Sequence, residues 1–132
     1  MEKKSPPKPT EAELELLQVL WRRGPSTVRE IHEALSVSKS TGYTTTLKIL
    51  QKMTDKGLVR RDESNRSHVY EALAQAAQTE RQLAGELLRK AFGDSPARLM
   101  VAALGSKKAT PQELAEIRRL LDDIEAKTPM KQ

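Results

Sequence analysis

The sequence predicts a mainly α-helical protein with one small β-hairpin, and three observations lead to this fold class. A capping box, in which Thr is followed by Glu three residues later, precedes a helical pattern of apolar residues at Thr10, Thr27 and Thr110. Two short runs of strand-like composition flank a turn-forming stretch between residues 58 and 71. The length of 132 residues suits one ordinary domain or two small ones, which excludes large catalytic scaffolds.

The first half of the chain predicts three helices followed by the hairpin. The first helix ends at Gly24, the second stops near Ser36, and the third runs from Tyr43 until Gly57 closes it. Strands follow at residues 58–61 and 66–71. This order is typical of a winged helix-turn-helix, in which the third helix enters the major groove of DNA and the hairpin, or wing, reaches the adjacent backbone.

The third predicted helix has two chemically different faces. At about 100° per residue, Tyr43, Leu47 and Leu50 share one side, and we assign them to the core together with Trp21. The opposite side is polar, and in this motif that side contacts base edges. The predicted base-contacting residues are Thr41, Thr44, Thr45 and Lys48.

The chain is basic, with 23 Lys and Arg against 18 Asp and Glu and a formal net charge of +5. Residues 36–61 hold six Lys or Arg and one acid, so this segment alone carries +5. A basic segment of this kind around the third helix suits an anionic partner. The few aromatic residues offer little stacking surface for single strands, which favours a duplex. The predicted phosphate contacts are Lys39, Lys52, Lys56, Arg60, Arg61 and Arg66.

Several other classes of protein are excluded by the composition and motifs. Without cysteine the chain has no disulfide, thiolate metal site or cysteine nucleophile. Of the two histidines, His32 is expected to be an exposed polar residue, and no functional role is assigned to His68. No phosphate-binding glycine loop or hydrolase triad pattern occurs, so we expect no enzymatic activity, cofactor or metal. The sequence also lacks a signal peptide or a membrane-spanning stretch, which predicts a cytoplasmic protein.

The second half of the chain predicts three more helices. They cover residues 74–92, the stretch from Ser95 to Gly105, and the stretch that follows Thr110. Roughly 55 residues in three helices lie at the lower limit for a self-sufficient core, so we expect a homodimer joined through this half. The predicted dimerisation residues are Leu83, Leu87, Leu88, Phe92, Leu99, Met100, Leu114, Ile117, Leu121 and Ile124.

The complete prediction is a winged helix-turn-helix followed by a three-helix dimerisation region. Residues 1–9 form a disordered basic tail, residues 10–73 a winged-helix DNA-binding domain, residues 74–127 a helical dimerisation domain and residues 128–132 a frayed tail. The predicted function is sequence-specific binding of a double-stranded DNA operator. A winged-helix protein–protein adaptor and a nonspecific DNA-binding protein are the alternatives.

Several pieces of the sequence together match the pattern of a known family. They are Thr10 with Glu13, Leu20 with Trp21, residues 24–31, residues 43–47, residues 56–59, and the wing pair Arg66 and Tyr70. With these pieces, the sequence resembles the BlaI/MecI/CopY family, the penicillinase-repressor type of bacterial winged-helix transcriptional regulators. The resemblance extends from residue 10 to about residue 125.

The resemblance implies a dimeric repressor that binds a short inverted repeat in a promoter and blocks transcription. It implies that the third helix faces the groove and that Arg66 is the wing contact. In this family, release often follows proteolysis in the C-terminal half, triggered by a membrane-bound metalloprotease sensor. The corresponding candidate cleavage region is Ala103 and Leu104, where the best-known members carry an Asn-Phe bond. The copper-responsive branch signals through a cysteine cluster, and this chain has no cysteine.

Overall fold

The computed structural model describes residues 7–36 and 41–128. The chain divides into two compact units, and the boundary between Glu86 and Leu87 lies inside the fourth helix. The predicted domain boundary, at residue 73, lies between the last strand and that helix. Most of the two predicted tails lies outside the described residues.

The predicted fold class, mainly α with a small β-hairpin wing, is confirmed. Within the described residues, the three strands form one antiparallel sheet in the order β1-β3-β2. Along the chain the elements are α1 (Glu11–Arg23), β1 (Ser26–Thr27), α2 (Val28–Ser36), α3 (Tyr43–Lys56), β2 (Val59–Asp62), β3 (Val69–Ala72), α4 (Ala76–Ala91), α5 (Pro96–Ser106) and α6 (Pro111–Lys127).

All three capping boxes predicted from the sequence are formed. In each, the Thr hydroxyl accepts the Glu amide and the Glu carboxylate accepts the Thr amide, at donor–acceptor distances of 2.9–3.2 Å. These contacts satisfy amides that have no acceptor within the helix itself. The pairs are Thr10 with Glu13 at α1, Thr27 with Glu30 at α2, and Thr110 with Glu113 at α6.

Strand β1 was not predicted, and it changes how the wing is attached. Its two residues pair with β3, with Ser26 opposite Tyr70 and Thr27 opposite Val69. A two-residue strand carries no alternating pattern, so no sequence signal marks it. Because Thr27 also caps α2, the first turn of that helix is tied to the base of the wing.

Gly57 ends α3, as predicted. Its φ of +82° lies in the left-handed region, which glycine adopts at low cost. The Gly57 amide reaches back to the carbonyls of Met53 and Thr54, and the Leu58 amide donates to the Met53 carbonyl at 2.9 Å. This tight turn leads the chain from α3 directly into β2.

The core of the first unit lies between α1, α2, α3 and the sheet. Leu17 of α1, Ile31 of α2 and Leu50 of α3 are completely buried. The side chains of Trp21 and Leu47 are half-buried and pack against this core. The indole N–H of Trp21 also donates to the carbonyl of Ala74 at 2.9 Å, which connects α1 to the chain just before α4.

The assignment of Tyr43 to the core is wrong, because 47% of its surface is exposed. The apolar stripe of α3 is buried at Thr46, Leu50 and Met53. Tyr43 extends that stripe by one turn, at the first residue of the helix. There its ring contacts the edge of His32 instead of entering the core.

The second unit buries little of its apolar surface. Neither α5 nor α6 contains a buried residue. Their exposed large apolar side chains are Met100, Val101, Leu104, Leu120, Leu121 and Ile124. None of the helices in the described part of the chain is both long and apolar enough to span a bilayer.

Candidate nucleic-acid interface

One face of α3 is polar and exposed over two turns of the helix. The side chains of Thr44, Thr45, Lys48 and Lys52 are all exposed. The opposite face is fixed by burial, since Thr46, Leu50 and Met53 each have no exposed surface. The nine residues from position 44 to position 52 span eight helical rises, so the polar face is about 12 Å long. The face is convex, and the buried residues on the other side of α3 hold the helix in place, as is needed for a helix that enters a groove of DNA.

Thr41 precedes α3 and is half-buried. Gly42 is the N-cap and offers no side-chain hydrogen bond. Thr41 therefore lies in the turn before the helix, next to its first exposed residues. The predicted base contacts come close together in this region, although their contact with bases remains a prediction.

His32 connects α2 to the first turn of α3. The prediction that it is an exposed polar residue is wrong, since it is half-buried. Its Nδ1 atom lies 3.5 Å from the hydroxyl oxygen of buried Thr46, and its ring meets that of Tyr43 edge-on, with centroids 5.6 Å apart and planes at 75°. The Thr46 hydroxyl also lies 3.3 Å from the carbonyl of Gly42 and can donate to it. These contacts hold the start of α3 against α2.

The predicted phosphate contacts fall into two groups. Lys52 and Arg66 are exposed, and no acid within residues 7–36 and 41–128 forms an ion pair with either. Their charges are therefore directed to solvent. Lys39 lies outside the described residues.

The second group of cations forms ion pairs within the protein. These pairs neutralise part of the positive charge that the sequence analysis assigned to contacts with the phosphate backbone of DNA. They are Lys56 with Glu13 at 2.6 Å, Arg60 with Glu71 at 2.7 Å, and Arg61 with Glu63 at 2.6 Å.

The pair on the wing arises from strand register. Arg60 on β2 lies directly opposite Glu71 on β3. The hydrogen bond to Glu71 raises the pKa of Arg60, and a hydrogen bond involving Tyr70 raises that of Arg61. Both guanidinium groups therefore stay charged, and each acts first as a cross-link of the wing.

Glu13 is a buried acid whose environment keeps it ionised. Burial raises the pKa of its carboxyl, but hydrogen bonds from Lys56 and from the Thr10 amide outweigh burial, and the pKa falls below its usual value. The same oxygen, Oε1, accepts from Lys56 at 2.6 Å and from the Thr10 amide at 2.9 Å. Lys56 therefore anchors the last turn of α3 to α1.

The turn of the wing is ordered by one acid. Oδ1 of Asp62 accepts from the amide of Ser64 at 2.9 Å and from its hydroxyl at 2.7 Å. These hydrogen bonds lower the pKa of Asp62. Beyond this turn, Arg66, Ser67 and His68 are exposed before β3 begins.

A groove of about 380 Å³ lies between the start of α2, the start of α3 and the wing. Its polar lining includes Arg29, Tyr43, Arg66 and His68. The sequence reading missed Arg29 and Tyr43 as candidate interface residues. For Arg29 a sequence signal was available, because it follows Thr27, the cap of α2, by two residues and so lies in the first turn of a helix of the helix-turn-helix.

The predicted dimerisation residues lie in both units. Leu83 belongs to the first unit, where it lines a groove with Leu14 and Trp21. The other nine belong to the second unit. Half-buried among them are Leu88, Phe92, Leu99, Leu114 and Ile117, whereas Leu87, Met100, Leu121 and Ile124 are exposed.

The candidate cleavage residues Ala103 and Leu104 are exposed and lie inside α5. The residues that follow α5, from Lys107 to Ala109, are not helical. Within the described residues, His, Asp and Glu side chains form no cluster of three that could hold a metal ion.

Comparison with known proteins assigns the family. The family profile of the penicillinase repressor matches residues 9–123. The transcriptional regulator BlaI of Mycobacterium tuberculosis, in strains CDC 1551 and H37Rv, is 32% identical over 108 residues, which cover 81% of this chain and 78% of the relative. The resemblance inferred from the sequence is thereby confirmed, and the family consists of regulators, not enzymes.

Two solved structures share the winged-helix fold. The solution structure of the DNA binding domain of the repressor BlaI is 25% identical with a TM-score of 0.50, covering 58% of this chain and 93% of that one. The Bacillus licheniformis BlaI monomeric form, solved in complex with the blaP half-operator, is 24% identical with the same TM-score and coverage. The profile match over most of the chain, together with this fold, shows that the protein belongs to the penicillinase repressor family of winged-helix transcriptional regulators.

Proposed function

We propose that this protein is a homodimeric, sequence-specific DNA-binding repressor that occupies a short inverted-repeat operator. The observation that carries the proposal is the exposed face of α3 with Thr44, Thr45, Lys48 and Lys52, on a helix whose other face is buried. A helix with one face fixed in a core presents its other face with a defined orientation, as base recognition requires. The solved BlaI–operator complex supports the same kind of partner.

The exposed face has the chemistry needed to distinguish bases. A Thr hydroxyl hydrogen-bonds to base edges and its methyl group contacts that of thymine, while a Lys donates to the acceptors of guanine. We assign base contacts to Thr41, Thr44, Thr45 and Lys48. The principal phosphate contacts are assigned to Lys52 and Arg66, which have no ion-pair partner within the described residues.

The remaining predicted phosphate contacts are retained in the proposal with a smaller role. An ion pair already formed within the protein must be weakened before its cation can serve a phosphate fully. The residues concerned are Lys56, Arg60 and Arg61, together with Lys39, which lies outside the described residues.

We assign duplex binding to residues 10–73 and dimerisation to residues 74–127. The exposed apolar side chains of α5 and α6 support dimerisation, because a unit without a core of its own gains stability by burying such a face. A two-fold dimer presents two α3 helices to successive major grooves, about 34 Å apart, which requires an inverted repeat. We infer a cytoplasmic location, because the proposed function requires access to chromosomal DNA.

Release by proteolysis is part of the proposal. A membrane-bound metalloprotease sensor would cut the chain near Ala103 and Leu104 and separate the DNA-binding half from the dimerisation half. Because both residues are helical, the cut requires α5 to open locally before a protease can bind it in an extended form.

The experiment that tests the function uses genomic DNA. The purified protein is incubated with sheared DNA of its source at physiological salt, and the retained fragments are sequenced. A shared inverted repeat upstream of a few genes is expected. A variant with Thr44→Ala, Thr45→Ala and Lys48→Ala, which leaves the buried face of α3 intact, should lose this enrichment.

Two results would contradict the proposal in different ways. Uniform retention without a motif would leave only nonspecific electrostatic binding. If the protein retains no duplex although circular dichroism shows that it is folded, the result would favour the alternative of a winged-helix protein–protein adaptor.

A further inference from the structure

We propose that the groove between α2, α3 and the wing is the seat of one phosphate of the DNA backbone, with Tyr43 as a hydrogen-bond donor and His32 as its positioning residue. The inference rests on the proposed duplex binding and assigns a particular subsite within it. The groove has a volume of about 380 Å³ and opens beside the first residue of α3.

The lining of the groove carries positive charge that no ion pair compensates within the described part of the chain. Arg29 and Arg66 approach from α2 and from the wing, and His68 adds an imidazole. Among the described residues that line the groove, none carries a carboxylate. The neighbouring acid, Glu30, is engaged by the Thr27 amide at 2.9 Å and by Arg23 at 3.8 Å. A phosphodiester would supply the missing negative charge.

Tyr43 contributes a polar group that is held in place before any ligand binds. Nearly half of its surface is exposed, yet its ring is fixed by the edge-on contact with His32. His32 is itself held next to the buried Thr46 hydroxyl. A hydroxyl oriented in this way loses little conformational freedom when it donates to a phosphate oxygen. This role explains why an aromatic side chain stays at the surface instead of joining the core.

The position of the seat would determine how α3 enters the groove of the duplex. Tyr43 immediately precedes Thr44 and Thr45, the proposed base-contacting residues. A phosphate held beside Tyr43 would fix the distance between the backbone and these two side chains. Contacts to the backbone set register in this way, while contacts to bases set sequence preference.

The test separates the neutral donor from the cations. Binding of a fluorescent duplex of about 30 base pairs, nearly three helical turns, is followed by anisotropy at several salt concentrations. Tyr43→Phe should weaken binding by about 10-fold, as loss of one hydrogen bond to a charged acceptor does. The salt dependence should stay unchanged, because a hydroxyl releases no counterion.

Arg29→Gln should lower the magnitude of the salt slope by about 1, as expected for one lost phosphate contact. The matched control is Arg22→Gln, which removes the same charge from an exposed position of α1 outside this groove. The control should keep the wild-type slope.

A double-mutant cycle tests whether His32 acts through Tyr43. His32→Leu should weaken duplex binding in the wild-type background and have little effect when Tyr43→Phe is already present. Thermal unfolding of each variant checks that the helices remain packed. Equal effects of His32→Leu in both backgrounds would reject the positioning role.

Two outcomes overturn the seat itself. In the first, the Tyr43→Phe variant binds the duplex with the affinity of the wild type, and Arg29→Gln leaves the salt slope unchanged. In the second, inorganic phosphate raises the unfolding temperature of the wild type but not that of Arg29→Gln, and the two proteins bind the duplex with equal affinity. That result would mean that the groove binds a free anion and not the DNA backbone. Failure of the wild-type protein to bind any duplex would overturn the proposed function and the seat together.

Discussion

The Lys56 Nζ atom lies 2.6 Å from Oε1 of Glu13, which joins the last turn of α3 to the first turn of α1. Glu13 is only 3% exposed, and the same oxygen also completes the cap of α1 through the Thr10 amide. One carboxylate therefore holds the start of one helix and the end of another. This anchor acts at the end of α3 opposite to the proposed base-contacting residues.

Glu13→Gln tests this anchor, because glutamine keeps the cap of α1 and removes the charge. We expect a loss of about 1 kcal/mol in the free energy of unfolding near neutral pH, measured by urea denaturation. The folded-state pKa of Glu13 is lowered, so the contribution is present above the unfolded pKa and is lost as pH falls through the folded pKa. The two proteins should therefore converge in acid. A difference that stays constant down to about pH 2 would contradict the role of ionised Glu13.

Lys52→Ala and Lys56→Ala should affect DNA binding differently, although both remove one positive charge from α3. Lys52 is exposed, so its loss should reduce the magnitude of the salt slope by about 1. Lys56 is engaged by Glu13, so its loss should lower the unfolding temperature with little change in slope. The measurements are duplex binding against salt concentration and a thermal melt. Equal changes in slope would show that the Lys56 pair opens on DNA.

Thr45→Ala should weaken binding to the operator selectively. The exposed Thr45 side chain offers a hydroxyl and a methyl group to a base, whereas nonspecific binding depends on phosphates. We expect about a tenfold loss on the operator, within the usual range for one base contact, and nearly unchanged binding to a scrambled duplex. Competition between the two duplexes measures the ratio. Equal losses on both would exclude base recognition by Thr45.

Ile124→Glu should prevent dimerisation, since the side chain is 51% exposed on the apolar face of α6. A charge on a face that becomes buried between two chains costs several kcal/mol, so the variant should be monomeric by light scattering. The matched control is Leu73→Glu, at a position 49% exposed in the first unit, which should remain dimeric. A wild-type monomer at micromolar concentration would contradict dimerisation through this face in the absence of DNA.

Limited trypsin digestion should cut the second unit first after Lys107 or Lys108. Both residues follow the last turn of α5 and are exposed in a non-helical stretch, whereas exposed Arg98 lies within the helix. Proteases bind extended chain, so helical sites are cut only after local opening. Mass spectrometry of early fragments identifies the order. Cleavage after Arg98 before the lysines would mean that α5 opens readily, which would make Ala103 and Leu104 directly accessible.

Local signals account for most of what the sequence predicted correctly. The capping boxes at Thr10, Thr27 and Thr110 and the closing Gly57 involve residues within four positions of one another, so their patterns are readable along the chain. The two faces of α3 follow from its periodicity in the same way.

The features that were missed depend on contacts between distant residues. Tyr43 lies against His32 of α2, eleven residues earlier in the chain, and the pairing of β1 joins positions more than forty residues apart. The partners of Lys56 and Arg60 likewise depend on packing and strand register. Charge composition alone could not separate the paired cations from those directed to solvent.

Thr27 has a consequence for anyone who would redesign this protein. Its backbone pairs with Val69 in the wing, and its hydroxyl caps α2 at 3.2 Å. A graft that replaces α3 with a helix of different specificity would leave this joint intact, and the wing would keep its place beside the new helix. A chimera assembled across Thr27 would instead lose the cap and the strand pairing in one step. The joint therefore marks where modules of this fold should not be cut.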